Sequence, residues 1–221
     1  MNTNFLKLVQ SLDALFPVGG YTLSNGMETY VQKGIVHDSV TLKEHIDSYL
    51  YMLSYNELAF AARAAENDDI CYLDSLYSAL KSPYEIRSGS MKQCMRFLKI
   101  HTELDKYPGL EKYRSDIRKG ICDGHYCIAM GIFIRELETD IRSSLELYCY
   151  NIISTMINHA VKLVPLRQLD GQRVLSDAAN RIPQAVDTAM KVEYESLGMS
   201  GCGFDIRSMQ HEKLYSRLFI S

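Results

Sequence analysis

The chain has 221 residues, 47% hydrophobic and 23% charged, with a formal net charge of −3 at pH 7. A chain of that length buries roughly 70% of its unfolded surface without disulfide or metal staples, and such a composition excludes bulk disorder. Interspersed acids and bases exclude a nucleic-acid-binding stripe, and the longest uncharged apolar run, Tyr126 to Ile134, stops at Arg135, far short of the ~20 residues of a membrane span.

Taken in chain order, Phe5, Leu6, Leu8, Val9, Leu12, Leu15 and Phe16 recur at helical spacing, which predicts an amphipathic helix over residues 3 to 16, ended by Pro17. Gly19-Gly20 then permits φ > 0 or a close chain approach; Ser24 reads as an N-cap with Glu28 in the following turn, and Gly34 as the stop of a short second helix. Asp38 is the candidate cap of a helix carrying Leu42, Ile46, Tyr49, Leu50 and Leu53. An alanine-rich helix follows from Glu57 to Glu66, interrupted by Asn67-Asp68-Asp69. Residues 70 to 80 and 84 to 104 read as helices separated by Ser82-Pro83, and Pro108-Gly109 reads as a turn. The run after Gly124-His125-Tyr126 is apolar nearly all round, so it predicts a central buried helix. Ile141, Leu145, Tyr148, Ile152, Met156, Ala160 and Val164 make the strongest helical series, ended by Pro165. Leu169 to Ile182, bounded by Pro183, and residues 184 to 197 add two more helices. Gly198, Gly201 and Gly203 loosen the chain before Asp205, a candidate cap of a short terminal helix. Strand signals are weak and no fixed repeat occurs, so the expectation is an all-α, bundle-like single domain of about ten helices over residues 1–221.

Six cysteines without a C-x-x-C pair read as small buried thiols, and no basic-then-apolar leader opens the chain. A soluble cytoplasmic protein is the expectation. Fifteen tyrosines without tryptophan suit either an interface or ordinary helix faces whose hydroxyls reach water. His211-Glu212 begins an H-E-x-x-H pattern, but Tyr215 stands where the second ligand belongs. Cys122 and His125, three apart, can share a helix face; core thiols and a hydrogen-bonded histidine are the plain reading, and a helical metal-dependent enzyme using both is the alternative. No phosphate-cradling G-x-x-x-x-G-K-(S/T) and no G-x-S-x-G elbow is present, so catalysis by this chain is not expected.

Three ordered stretches carry a resemblance. Pro17-Val18-Gly19-Gly20-Tyr21-Thr22, with Ser24, Gly26 and Glu28, lies near the start. Ala160 to Gln172 reads A-V-K-L-V-P-L-R-Q-L-D-G-Q, and Met209 to Ser221 reads M-Q-H-E-K-L-Y-S-R-L-F-I-S. Together they resemble the urease accessory protein F family. Leu23 stands where that family usually has histidine, so no metal role is carried over there, and Arg167 replaces a small residue.

The resemblance implies an all-helical, homodimeric, non-enzymatic factor that bridges the H/D-type accessory protein and the nickel-carrying G-type GTPase and acts on apo-urease. It implies no tightly bound cofactor, nickel being handled by the assembled complex. Residues 205–221 would then be a docking arm, with His211, Glu212, Tyr215, Arg217, Leu218 and Phe219 meeting the H/D-type partner. Tyr21, Ser24 and Glu28 at the first stretch and Gln168, Asp170 and Gln172 at the second would be further partner-binding positions. From the residues alone, the apolar tail can equally dock on its own domain.

Overall fold

A computed structural model describes residues 3–66, 69–199 and 201–220; the break expected at Asn67-Asp68 and the terminal Ser221 lie outside them. Helix α1 (Thr3–Leu12) is followed by a 3₁₀ turn (Gly20–Thr22) and the short α2 (Met27–Gln32). Next come α3 (Ser39–Tyr55), α4 (Glu57–Ala65), α5 (Ile70–Leu80) and α6 (Tyr84–Leu104), then α7 (Pro108–Arg118), α8 (Tyr126–Glu136) and α9 (Ile141–Leu163). The chain closes with α10 (Gln168–Ala179), α11 (Ile182–Ala189), a 3₁₀ turn (Tyr194–Ser196) and α12 (Cys202–His211). The expected all-α class is what folds: no strand occurs among the described residues.

Local chemistry explains most boundaries. The Asp38 carboxylate accepts the Thr41 amide at 2.8 Å while Thr41 Oγ1 accepts the Asp38 amide at 3.1 Å, a reciprocal cap for α3. Asp69 caps α5 through the Tyr72 amide at 3.1 Å, and Asp140 caps α9 through the Ser143 amide at 2.8 Å. At the centre α4 packs directly on α8. Every residue from Leu58 to Ala65 except Arg63 is buried, as is every residue from Cys127 to Ile134. A Cβ placed on Gly131 would overlap the Ala61 carbonyl oxygen and lie 2.7 Å from Ala64 Cβ, so the two backbones meet only because one residue lacks a side chain and its neighbours are alanine. The long α9 runs beside this pair and also carries α1, α2, α10 and α11.

Several boundaries differ from expectation. α1 stops at Leu12 rather than at Phe16, because the Asp13 carboxylate captures the Leu15 amide at 2.7 Å and turns Leu15 out to 91% exposure. Ser24 is not a cap: it is fully buried, and Gly26, at φ 79°, precedes α2 instead. Pro108-Gly109 is not a free turn but the start of α7, with proline in the first turn where its missing N–H costs nothing. The same logic moves Pro183 from a helix end into the first turn of α11, so α10 ends at Ala179 and the helix expected over 184 to 197 splits into α11 and a 3₁₀ turn. Asp205 lies within the first turn of α12, and Gly201 holds the cap position.

Candidate partner-docking surface

The segment after α12 folds back across the glycine turn. Glu28, in the first turn of α2, is buried, and its carboxylate accepts the Leu218 amide at 2.7 Å and the Phe219 amide at 3.2 Å. Its Oε2 also faces His211 Nε2 at 3.2 Å, and the opposite ring nitrogen, Nδ1, faces Glu85 Oε2 on α6 at 2.7 Å. Arg217 completes the cluster by donating to Glu85 Oε1 at 2.5 Å. The His211 ring is thus held between two carboxyl groups, one from α2 and one from α6, and Arg217 ties the tail to the second of them.

Further backbone contacts pin the segment. Gln32 Nε2 donates to the Ser216 carbonyl at 3.0 Å, and the Ile220 amide donates to the Thr22 carbonyl at 2.8 Å. Phe219 is 8% exposed and its ring lies 4.4 Å from that of His159 on α9. His159 Nε2 in turn donates to the Tyr21 carbonyl at 3.0 Å, which ties the 3₁₀ turn to the same place. Burial holds the His159 imidazole down at about 4, so the ring is neutral and its proton sits on Nε2.

Of the twelve expected positions, the structure gathers seven here: Tyr21, Glu28, His211, Tyr215, Arg217, Leu218 and Phe219. Glu28, His211 and Phe219 face inward and hold the tail, while Tyr21, Tyr215, Leu218 and Ile220 point to solvent. Tyr21, Lys162, Leu218 and Ile220 border a recess of about 290 Å³. Lys162 Nζ stands 4.0 Å from the Tyr21 ring centroid. Ser24 is buried beneath the turn, and Glu212 is the exposed C-cap of α12. Gln168, Asp170 and Gln172 sit instead at the start of α10, on α9 and α3, where Asp170 pairs with Arg167 at 2.9 Å and Arg173 at 3.3 Å. Glu85 and His159 also touch the tail and were not expected; Glu85 reads in sequence as an ordinary acid of a helix's first turn.

The Cys122–His125 pairing does not form. Both precede α8 rather than sharing a helix face, and the Cys122 thiol touches that of Cys71 at 3.5 Å. His125 lies instead with Asp74 and Asp123, their donor atoms within 4.8 Å of one another. Those donors are already engaged: Asp74 accepts the Asp123 amide at 2.5 Å, the Gly124 amide at 3.1 Å and the Tyr113 hydroxyl, while Ser78 and Ser90 flank the His125 ring. The cluster reads as a polar knot, buried at Asp74 and His125 and exposed at Asp123, that joins α5 to the turn before α8.

Comparison with known proteins agrees with the motifs. The UreF family model matches residues 36–179. A urease accessory protein UreF of Actinobacillus pleuropneumoniae serotype 5b (strain L20) is 34% identical over 221 residues, covering 97% of each chain. The chain belongs to the UreF family. A urease accessory protein UreF of Haemophilus influenzae (strain ATCC 51907 / DSM 11121 / KW20 / Rd) is likewise 34% identical, over 99% of this chain and 96% of its own. One of Paenarthrobacter aurescens (strain TC1) is 30% identical over 98% of this chain and 97% of its own. Within this UreF-family chain Leu23 plays an apolar part: a Cβ on Gly89 would sit 3.0 Å from its Cδ1, so the leucine side chain fills the space that Gly89 leaves. Arg167 lies at the N-cap of α10 with its side chain largely in water.

Proposed function

We propose that this chain is a non-catalytic urease maturation factor that bridges an H/D-type accessory protein and a nickel-carrying G-type GTPase during nickel insertion into apo-urease, working as a homodimer in the cytoplasm. Membership of the UreF family and relatives named as urease accessory proteins support the coarse role. Among the described residues no helix is long and apolar enough to cross a membrane.

One observation supports the docking role of the tail. Residues 212–220 are anchored through Glu28 and Phe219, yet Leu218 is 64% exposed and Ile220 59%, and both border one recess with the exposed ring of Tyr21. An apolar strip fastened from beneath and bare above suits a protein partner, since single scattered exposures need no explanation but a shared recess does. Residues 205–211 belong to α12, so the arm proper begins at Glu212.

The test is co-purification with the H/D-type protein. Leu218→Asp and deletion of residues 212–221 should each abolish it while the far-ultraviolet circular dichroism stays within a few per cent of wild type. Normal binding by both variants would overturn the docking role. Repeating the pull-down with the GTPase, with and without GTP and nickel, tests the bridge.

A further inference from the structure

We propose that Cys71 and Cys122 form an intramolecular disulfide when the protein meets a low-molecular-weight disulfide such as oxidised glutathione, stapling the start of α5 to the turn before α8. All six cysteines are free thiols, and these two are in contact at 3.5 Å although 51 residues apart. Bond formation requires the sulfurs to close from this contact to about 2.05 Å, an approach of about 1.5 Å.

The alignment is held by bonds that do not involve sulfur. Asp74 lies one turn beyond Cys71 on α5, and its carboxylate takes the amides of Asp123 and Gly124, the two residues following Cys122. The Tyr113 hydroxyl locks the other side, donating to Asp74 and accepting the His125 amide at 2.8 Å. The two sulfurs are thus pre-positioned, and the entropy of bringing together distant segments is already spent in folding.

The two thiols differ in access. Cys71 is half-exposed and can be reached by a small disulfide, whereas Cys122 is buried, so the exchange starts at Cys71; burial also pushes the Cys122 thiol up, which makes its attack the slow step. In the first step the Cys71 thiolate attacks one glutathione sulfur, the S–S bond breaks, and the released glutathione thiolate takes up a proton. In the second, Cys122 surrenders its proton to solvent as its sulfur attacks Cys71, expelling the second glutathione. Two protein thiols are oxidised and one oxidised glutathione is reduced to two thiols.

The test uses the full chain carrying Cys202→Ser, because Cys202 is the exposed cysteine and would cross-link separate molecules. Incubated natively with a rising ratio of oxidised to reduced glutathione, the protein should fall from five denaturant-accessible thiols to three. Non-reducing peptide mapping should recover one linked pair containing Cys71 and Cys122, and the urea midpoint should rise and return on adding dithiothreitol. Adding Cys122→Ser should trap glutathione on Cys71 and abolish the link. Retention of five thiols, arrest at the Cys71–glutathione adduct with Cys122 present, or linkage of any other pair would overturn the proposal.

Discussion

Glu28 shows how one side chain can hold a chain terminus. It takes two backbone amides and faces a buried imidazole, so Glu28→Ala would leave three polar groups without their acceptor at ~1–3 kcal/mol for each group kept buried. Against that, the tail is held mainly by burial of Phe219, worth ~1.5–3 kcal/mol, and a few hydrogen bonds. The two amides regain water by release of residues 212–220, while His211, on α12, keeps its contact with Glu85, so the loss falls on the tail and not on the body. Glu28→Ala should therefore speed tryptic cleavage at Lys213 and Arg217 at least tenfold while leaving the urea unfolding free energy within about 1 kcal/mol. A large global loss with an unchanged cleavage rate would show that Glu28 supports α2 rather than the tail. Within this cluster the sequence alone exposed Glu28, His211 and Arg217, which belong to recognisable strings. Glu85 carried no such mark, since nothing local distinguishes it from any acid that follows a proline at a helix start.

Among the elements, the α4–α8 pair carries the tightest constraint. Alanine at position 131 would gain ~1 kcal/mol of helix propensity but would drive its methyl group into the Ala61 carbonyl, a backbone atom that cannot swing aside. Sterics win, and Gly131→Ala should lower the urea unfolding free energy by about 1–3 kcal/mol. Gly203, in α12, has no atom within 4 Å of its built Cβ, so Gly203→Ala should instead raise stability by up to ~1 kcal/mol. Equal signs for the two substitutions, measured by urea denaturation, would refute the packing account. The prediction of a buried central helix came from apolar residues on all faces of α8, and this is what the structure shows. The partner could not be read in advance, because an alanine-rich stretch such as α4 suits close packing against any neighbour.

For the molecule as a whole, acid should be the main stress. Burial pushes His45, His101 and His159 down to about 4, well below the ~6.5 of an unfolded histidine. Above pH ~6.5 these rings are neutral in both states and their contribution is complete. As pH falls from there to about 4 the unfolded chain binds protons that the fold refuses, and below about 4 the contribution is gone. Each ring accounts for ~3 kcal/mol over that window, and three together rival the ~5–15 kcal/mol stability of a typical domain. Urea midpoints should drop steadily between pH 7 and pH 4.5, and His45→Gln should flatten the slope by about a third. A flat profile over that range would contradict the burial of these rings.

The sequence by itself determined the helices and the family. Apolar positions at a period of three to four residues, carboxylates such as Asp38 that can cap within three residues, and prolines that cannot donate all act over one or two turns, a range a linear reading covers. Where a local signal had two meanings, as for Pro108 and Pro183, proline marked a boundary without saying on which side the helix lay. Only the tertiary structure decided that the terminal segment lies on its own body, that Glu28 meets His211 across 183 residues of chain, and that Cys122 touches Cys71 instead of His125. Those contacts arise when separate helices bury their apolar faces together, and the side chains that meet as a result need share no pattern in the sequence.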